Sequence, residues 1–121
     1  METMKLKVEM PYIGKALSVN YYHLRFGTRI TTKIRPEVKL WMSQLTEKVK
    51  GFEHDGRVHV SVFGKFTDGR VPDVHNLSKV ILDAIKVGVE LDDRHITFSS
   101  IGYGTGYVKP ILVITLESGN E

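Results

Sequence analysis

Between Val71 and Ile96 the chain reads VPDVHNLSKVILDAIKVGVELDDRHI and concentrates the side chains best suited to chemistry. Asp73, Asp83, Asp92 and Asp93 supply carboxylates, His75 an imidazole and Lys79 an ammonium group. Hard divalent cations such as Mg²⁺ take oxygen ligands and keep several waters, so two or three of these carboxylates brought together suffice for a metal site. A lysine beside such a site would offset charge developing on a phosphate. His75, Lys79 and Asp83 follow one another at four-residue steps and so share one face of a helix, with Asp73 at its head. Asp92 and Asp93 can join them only if the chain after Gly88 folds back. A strand from Ile96, paired beside the strand before Pro72, would achieve this.

Each of these residues also has an ordinary reading. Asp73 after Pro72 is well placed as a helix N-cap, a role compatible with metal binding. An isolated Asp-Asp pair is most often a polar turn, a lone lysine a surface group, and His75 a solvated helix residue. What sets this stretch apart is the joint spacing, since every ordinary reading must hold at once to remove its meaning. The other histidines, His23, His54, His59 and His95, have no spacing that suggests a zinc site.

The elements that must position these groups follow from hydrophobic period. Leu77, Val80, Ile81, Ala84, Ile85 and Gly88 recur at three- and four-residue steps, predicting a helix from near Val74 to about Val87 with Gly88 as its stop. Met4 to Met10 alternates apolar and charged residues, the pattern of a half-buried strand. Residues 14–32 are polar and aromatic, with Gly27 marking a hairpin or loop. Arg35 to Lys50 predicts a helix whose stripe is Val38, Trp41, Met42, Leu45 and Val49, with Pro36 in its first turn and Gly51 at its end. Arg57 to Phe66 alternates as a strand, and a turn carrying Asp68-Gly69 leads to Pro72. Ile96 to Tyr103 and Val108 to Leu116 predict two more strands, joined as a hairpin through Gly104-Thr105-Gly106. No helix follows those glycines, so they do not form a phosphate loop. The last strand is almost wholly apolar and belongs inside the sheet. The expected fold is α+β (α/β): two helices on one face of a mixed sheet of about four strands, in one domain spanning residues 1–121.

Composition narrows the function classes. A chain of 121 residues with 41% hydrophobic content fits one core, and it carries no repeat and no apolar run near the ~20 residues of a membrane span. It has no cysteine, which excludes disulfides and thiolate metal sites, and its first residues lack a signal-peptide core. A cytoplasmic location is expected. Residues 1–50 carry ten Lys and Arg against four acids, while 51–121 carry seven against ten, so the net +3 hides a basic first half. Asn20, Tyr21, Arg25, Arg29 and Lys33 lie in that half and are the expected DNA contacts, with cations on phosphates and aromatics stacking on opened bases. The alternative for the tyrosines is packing on the core with only the hydroxyls exposed.

The spacing Asp73-x-x-Asn76-x-x-Lys79-x-x-x-Asp83, followed by Asp92-Asp93, resembles the signature of the RusA-type Holliday-junction resolvases, metal-dependent endodeoxyribonucleases of phages and prophages. Ser18-Val19-Asn20-Tyr21-Tyr22 is similar to the family's amino-terminal Ser-x-Asn-x-Tyr stretch, and the chain length is typical. The resemblance implies a RusA-like fold and a homodimer that resolves four-way branched DNA by paired symmetric nicks, in recombination and repair. It implies Mg²⁺, with Mn²⁺ as an alternative, held by residues at the positions of Asp73, His75 and Asp93, with Asp92 or Asp83 in reserve. Asp73, Lys79 and Asp93 are the implied catalytic residues; Asn76 and Asp83 support them, Asp83 holding Lys79 at i, i+4. His75 departs from the family pattern, which has an aspartate there. The substitution removes one negative charge and supplies a donor better matched to Mn²⁺ or another transition metal. A second function class is therefore a catalytically silent, structure-selective DNA-binding module, and a third is a small enzyme acting on a phosphorylated metabolite.

Overall fold

The computed structural model describes the backbone of residues 4–18, 23–26 and 29–119, and the side chains of all these except 24–26 and 29–32. Two sheets and two α-helices are formed. β1 (Met4–Pro11), β6 (Ile111–Ser118), β4 (Val58–Lys65) and β5 (Ile96–Gly104) make a four-stranded mixed sheet in the order β1-β6-β4-β5. β2 (His23–Phe26) and β3 (Arg29–Ile34) make a separate antiparallel pair. The helices are α1 (Pro36–Val49) and α2 (Ser78–Val89).

One rung of the four-stranded sheet shows how strand alternation becomes a core. Leu6, Leu116, Val60 and Phe98 are aligned across all four strands and face the helices. One residue along, Lys7, Thr115, Ser61 and Ser99 align on the opposite, polar face. Val38, Trp41, Leu45 and Val49 of α1 and Val80, Ile81, Ala84 and Ile85 of α2 cover the apolar face and are all buried. Trp41 is 2% exposed, and its Nε1 donates to the Pro11 carbonyl at 2.6 Å, tying α1 to the end of β1. The two-helix layer over a mixed four-stranded sheet is the architecture expected from the sequence.

Two local expectations are corrected. Gly88 does not stop α2; it lies inside the helix, against α1. A Cβ there would stand 2.5 Å from Val49 Cγ2 and 2.8 Å from the Thr46 carbonyl oxygen, so the glycine is required for helix contact rather than for termination. Thr46 Oγ1 donates to the Ala84 carbonyl across the same contact at 2.8 Å. The helix ends at Glu90, which takes the left-handed conformation (φ 59°, ψ 48°) usually left to glycine. The helix also begins differently: Val74–Leu77 is a 3₁₀ turn, and α2 starts at Ser78.

The second correction concerns β5 and β6, which do not pair with each other. β4 lies between them, parallel to β5 and antiparallel to β6. The almost wholly apolar β6 thereby gains a neighbour on each side, as expected for an inner strand, while β5 is joined to β4 through α2 in a strand-helix-strand crossover. No helix of the described residues is long and apolar enough to cross a membrane.

Candidate functional site

The expected site residues stand on two short turns, one at each end of α2. Extended backbone at Asp73 (φ −74°, ψ 109°) brings its carboxylate to the head of the Val74–Leu77 turn, where Oδ1 accepts from the His75 N–H at 3.0 Å. The Asp73 carbonyl accepts from the Asn76 N–H at 2.9 Å. Val74 and Leu77 sink into the core, at 6% and 1% exposed, which forces Asp73 and His75 outward. Asn76, the next residue, is half-buried.

The second turn, Asp93–His95, has Asp92 as its cap. Asp92 Oδ1 accepts from the Arg94 N–H at 3.3 Å, and Oδ2 lies 3.5 Å from Arg94 Nη2. Asp92 and Asp93 are both exposed.

A run of alternating charge connects the two turns along α2. Lys79 Nζ is 3.2 Å from Asp83 Oδ2, which bears out the i, i+4 pairing expected for them. Lys86 continues the run, 3.7 Å from Asp83 Oδ1 and 3.3 Å from Asp93 Oδ1. Asp83 is the most sheltered member, its side chain 21% exposed against 54% for Lys79. Lys86 and Arg94 were not anticipated as site residues. The i, i+3 spacing of Asp83 and Lys86 was a usable signal for the first; Arg94 is set by the local cap at Asp92.

The structure does not bring the two carboxylate groups together. β5 does return beside β4, as convergence required, but the pair is parallel and starts with Val58 level with Ile96. Asp93 therefore lies by the beginning of β4, whereas Asp73 follows its end. The 12 residues of α2 alone separate the two turns by about 18 Å. Among the described residues, no three His, Asp or Glu side chains gather closely enough to hold a metal ion. Asp73 with His75, or Asp92 with Asp93, offers two neighbouring donor residues at most, so the donors of one chain do not fit the expected ligand set.

Of the expected DNA contacts, Asn20 and Tyr21 lie outside the described residues. Arg25 and Arg29 fall on the β2–β3 pair, with Arg25 opposite Ile30 and Phe26 opposite Arg29, but their side chains are not described. Lys33, on β3, is exposed. A concavity beside the Asp92 turn is lined by Arg57, His59, Arg94 and His95 together with Asp55 and Glu117, a mixed rather than a basic surface. The Asp55 carboxyl there is held below the usual carboxylate range, first by the Ser118 hydroxyl, which donates to it at 2.9 Å, and then by the Arg57 backbone N–H.

No curated protein matches the chain. A family model does, that of endodeoxyribonuclease RusA, over residues 17–117. That span takes in α1, both acidic turns and every strand of the main sheet except β1. With the match running over most of its length, the chain belongs to the RusA endodeoxyribonuclease family.

Proposed function

We propose that the protein is a Holliday-junction resolvase: a metal-dependent endodeoxyribonuclease that acts as a homodimer on four-way DNA by paired symmetric nicks, in recombination and repair. The observation that carries this reading is the family match over residues 17–117, on a chain whose Asp73, Lys79 and Asp93 are all exposed on one helical unit. Lys79 is the residue proposed to stabilise negative charge building on the scissile phosphate. Its ammonium is held by Asp83 at 3.2 Å and remains half exposed, so a phosphate can reach it. Mg²⁺ or Mn²⁺ is the proposed cofactor, with donors drawn from Asp73, His75, Asp92 and Asp93. The described residues of one chain do not gather three of these donors at one point.

The exposed basic residues of the first half, Lys33 among them, support binding to a polyanion. Cleavage of a synthetic four-way junction, compared with linear duplex of the same sequence in Mg²⁺ and then Mn²⁺, tests the reading. Paired nicks that disappear in Asp93→Asn are expected; equal cutting of duplex and junction would overturn junction selectivity.

His75 favours one second reading, a silent DNA-binding module, because it replaces a carboxylate of the family pattern with a group of lower charge. Tight junction binding without cutting in either metal would select that module. Cutting that prefers Mn²⁺ in the parent and shifts toward Mg²⁺ in His75→Asp would select the nuclease, with His75 as a metal donor.

A further inference from the structure

Strand order imposes a shape on the loop between β5 and β6. Because β4 lies between these strands, the chain from Thr105 to Pro110 must cross the end of β4, where Lys65 stands opposite Gly104 on one side and Ile111 on the other. The crossing is pinned along its length. The Phe66 N–H donates to the Gly104 carbonyl at 2.8 Å, the Gly106 N–H to the Thr67 carbonyl at 3.2 Å and the Tyr107 N–H to the Phe66 carbonyl at 3.1 Å. On the far side, the Pro110 carbonyl accepts from the Tyr12 N–H at 3.1 Å. Gly106 makes the turn with a φ of 87°, and Gly104 leaves room for the Tyr107 ring, which a Cβ there would approach to 3.2 Å.

Tyr107 is thereby laid against the sheet, with the Lys65 ammonium 5.5 Å from its ring centroid. Val108, next in the chain, is lifted clear: at 93% exposed it stands further into solvent than any other large apolar side chain among the described residues. A single exposed valine is ordinary on a protein surface. This one is set apart by a backbone fixed on both sides of it and by its position.

β4 and β5 run parallel, so the crest lies at the end of the sheet from which β4 leads on to Asp73. Asp73 follows Thr67 by six residues, which keeps it within about 20 Å of the loop's anchor. β1 also finishes at this end, opposite Ile111, and Lys15, Lys65, Arg70 and Lys109 all belong to it. Glu9 and Asp68 oppose two of these cations, at 3.7 Å from Lys65 and 3.0 Å from Arg70. The crest is thus an apolar tip in a mainly basic surround, the charge that suits a phosphate backbone.

We propose that Val108 is a wedge that inserts beside a base pair at the branch point of four-way DNA, with the exposed Lys109 on a neighbouring phosphate. This rests on the nuclease reading for its ligand, and on the pinned loop for its geometry. Apolar side chains inserted at a base step unstack it, at a cost that is smallest where stacking is already interrupted, as it is where four arms cross. A β-branched side chain on a fixed backbone loses little freedom in doing so. The wedge supplies preference for a junction over linear duplex, which cations that read only phosphate do not.

The test places a fluorescent adenine analogue that brightens on unstacking next to the crossing of a synthetic four-way junction, in EDTA so that no strand is cut. Saturating wild-type protein is expected to raise the signal. Val108→Ser removes no buried contact, and it should lose the rise and bind the junction about tenfold more weakly, with duplex affinity unchanged. Leu40→Ser, at an exposed apolar position on α1, should behave as wild type. Junction binding by the wild type without a rise, a rise retained in Val108→Ser, or an equal loss in Leu40→Ser would overturn the wedge and leave the resolvase reading standing. A wild-type protein that binds neither DNA would overturn both. Conversion of a dimer to monomers by Val108→Ser, seen in sedimentation, would make the crest a contact between copies and overturn the wedge as well.

Discussion

At both ends of α2 a carboxylate caps a short 3₁₀ turn by accepting from the backbone N–H two residues on, Asp73 from His75 and Asp92 from Arg94. The turns share this device and differ in what lies beneath it. The Asp73 turn is pinned by Val74 and Leu77, which belong to the core. The Asp93 turn buries no residue, and charged contacts to Lys86 and Arg94 hold it instead. Apolar burial places a group firmly, whereas exposed ion pairs are screened by solvent and reform cheaply. One half of the expected ligand set therefore has a fixed address, and the other has room to adjust when a partner or ligand arrives.

The difference can be broken most forcefully through the anchor. Leu77→Ala removes a fully buried side chain and is expected to cost about 2–5 kcal/mol of stability, read as a lower denaturant midpoint. A loss below about 1 kcal/mol would mean that the core does not hold the Asp73 turn. Gly88→Ala presses a methyl group against Val49 and the Thr46 carbonyl and should cost about 1–3 kcal/mol by parting α1 from α2. A neutral result would show that the helices have slack there. Asp73→Ala removes the cap and should cost about 1 kcal/mol, while Lys86→Ala, at the freer turn, should cost less than about 1 kcal/mol. Reversal of that order in thermal unfolding would overturn the contrast between the turns.

The smallest effect concerns pH at the Asp93 end of the sheet. The Asp55 carboxyl is held low by Ser118, so its folded value lies below its unfolded one. The stabilisation is thus present above the unfolded value and is lost as pH falls through the folded value. Ser118→Ala should raise the Asp55 titration toward the ordinary carboxylate range and move this acid-side loss to higher pH. An unchanged Asp55 titration by NMR would exclude Ser118 as the cause.

Much of this architecture was legible from period alone. β1, α1 and β4 fall within one or two residues of the segments that alternation and the helical stripe indicate, because each buries one clean face. What escaped was non-local. Gly104-Thr105-Gly106 reads locally as a hairpin, yet β4 separates β5 from β6, and only the pairing of distant strands decides that. Gly88 looks like a stop because glycine serves two purposes, and its contact with Thr46 and Val49 is invisible within its own helix. The candidate residues stand out in the sequence by type and spacing, and the structure places them on the two turns and on α2. Their separation is not legible there, because a return beside β4 satisfies the local pattern in either direction, and the parallel one leaves the two ends of the crossing helix far apart.

The order of the strands also has a consequence for how the chain folds. β1 is the first strand of the main sheet, and β6, its neighbour there, is the last, with Met4 opposite Ser118. Emerging from a ribosome, β1 must wait for nearly the whole chain before its partner exists, and β4 likewise lacks β6 until the end. Closure of the sheet is then a late, long-range event that rewards little before it is complete, which favours slow folding with apolar strands exposed in the meantime.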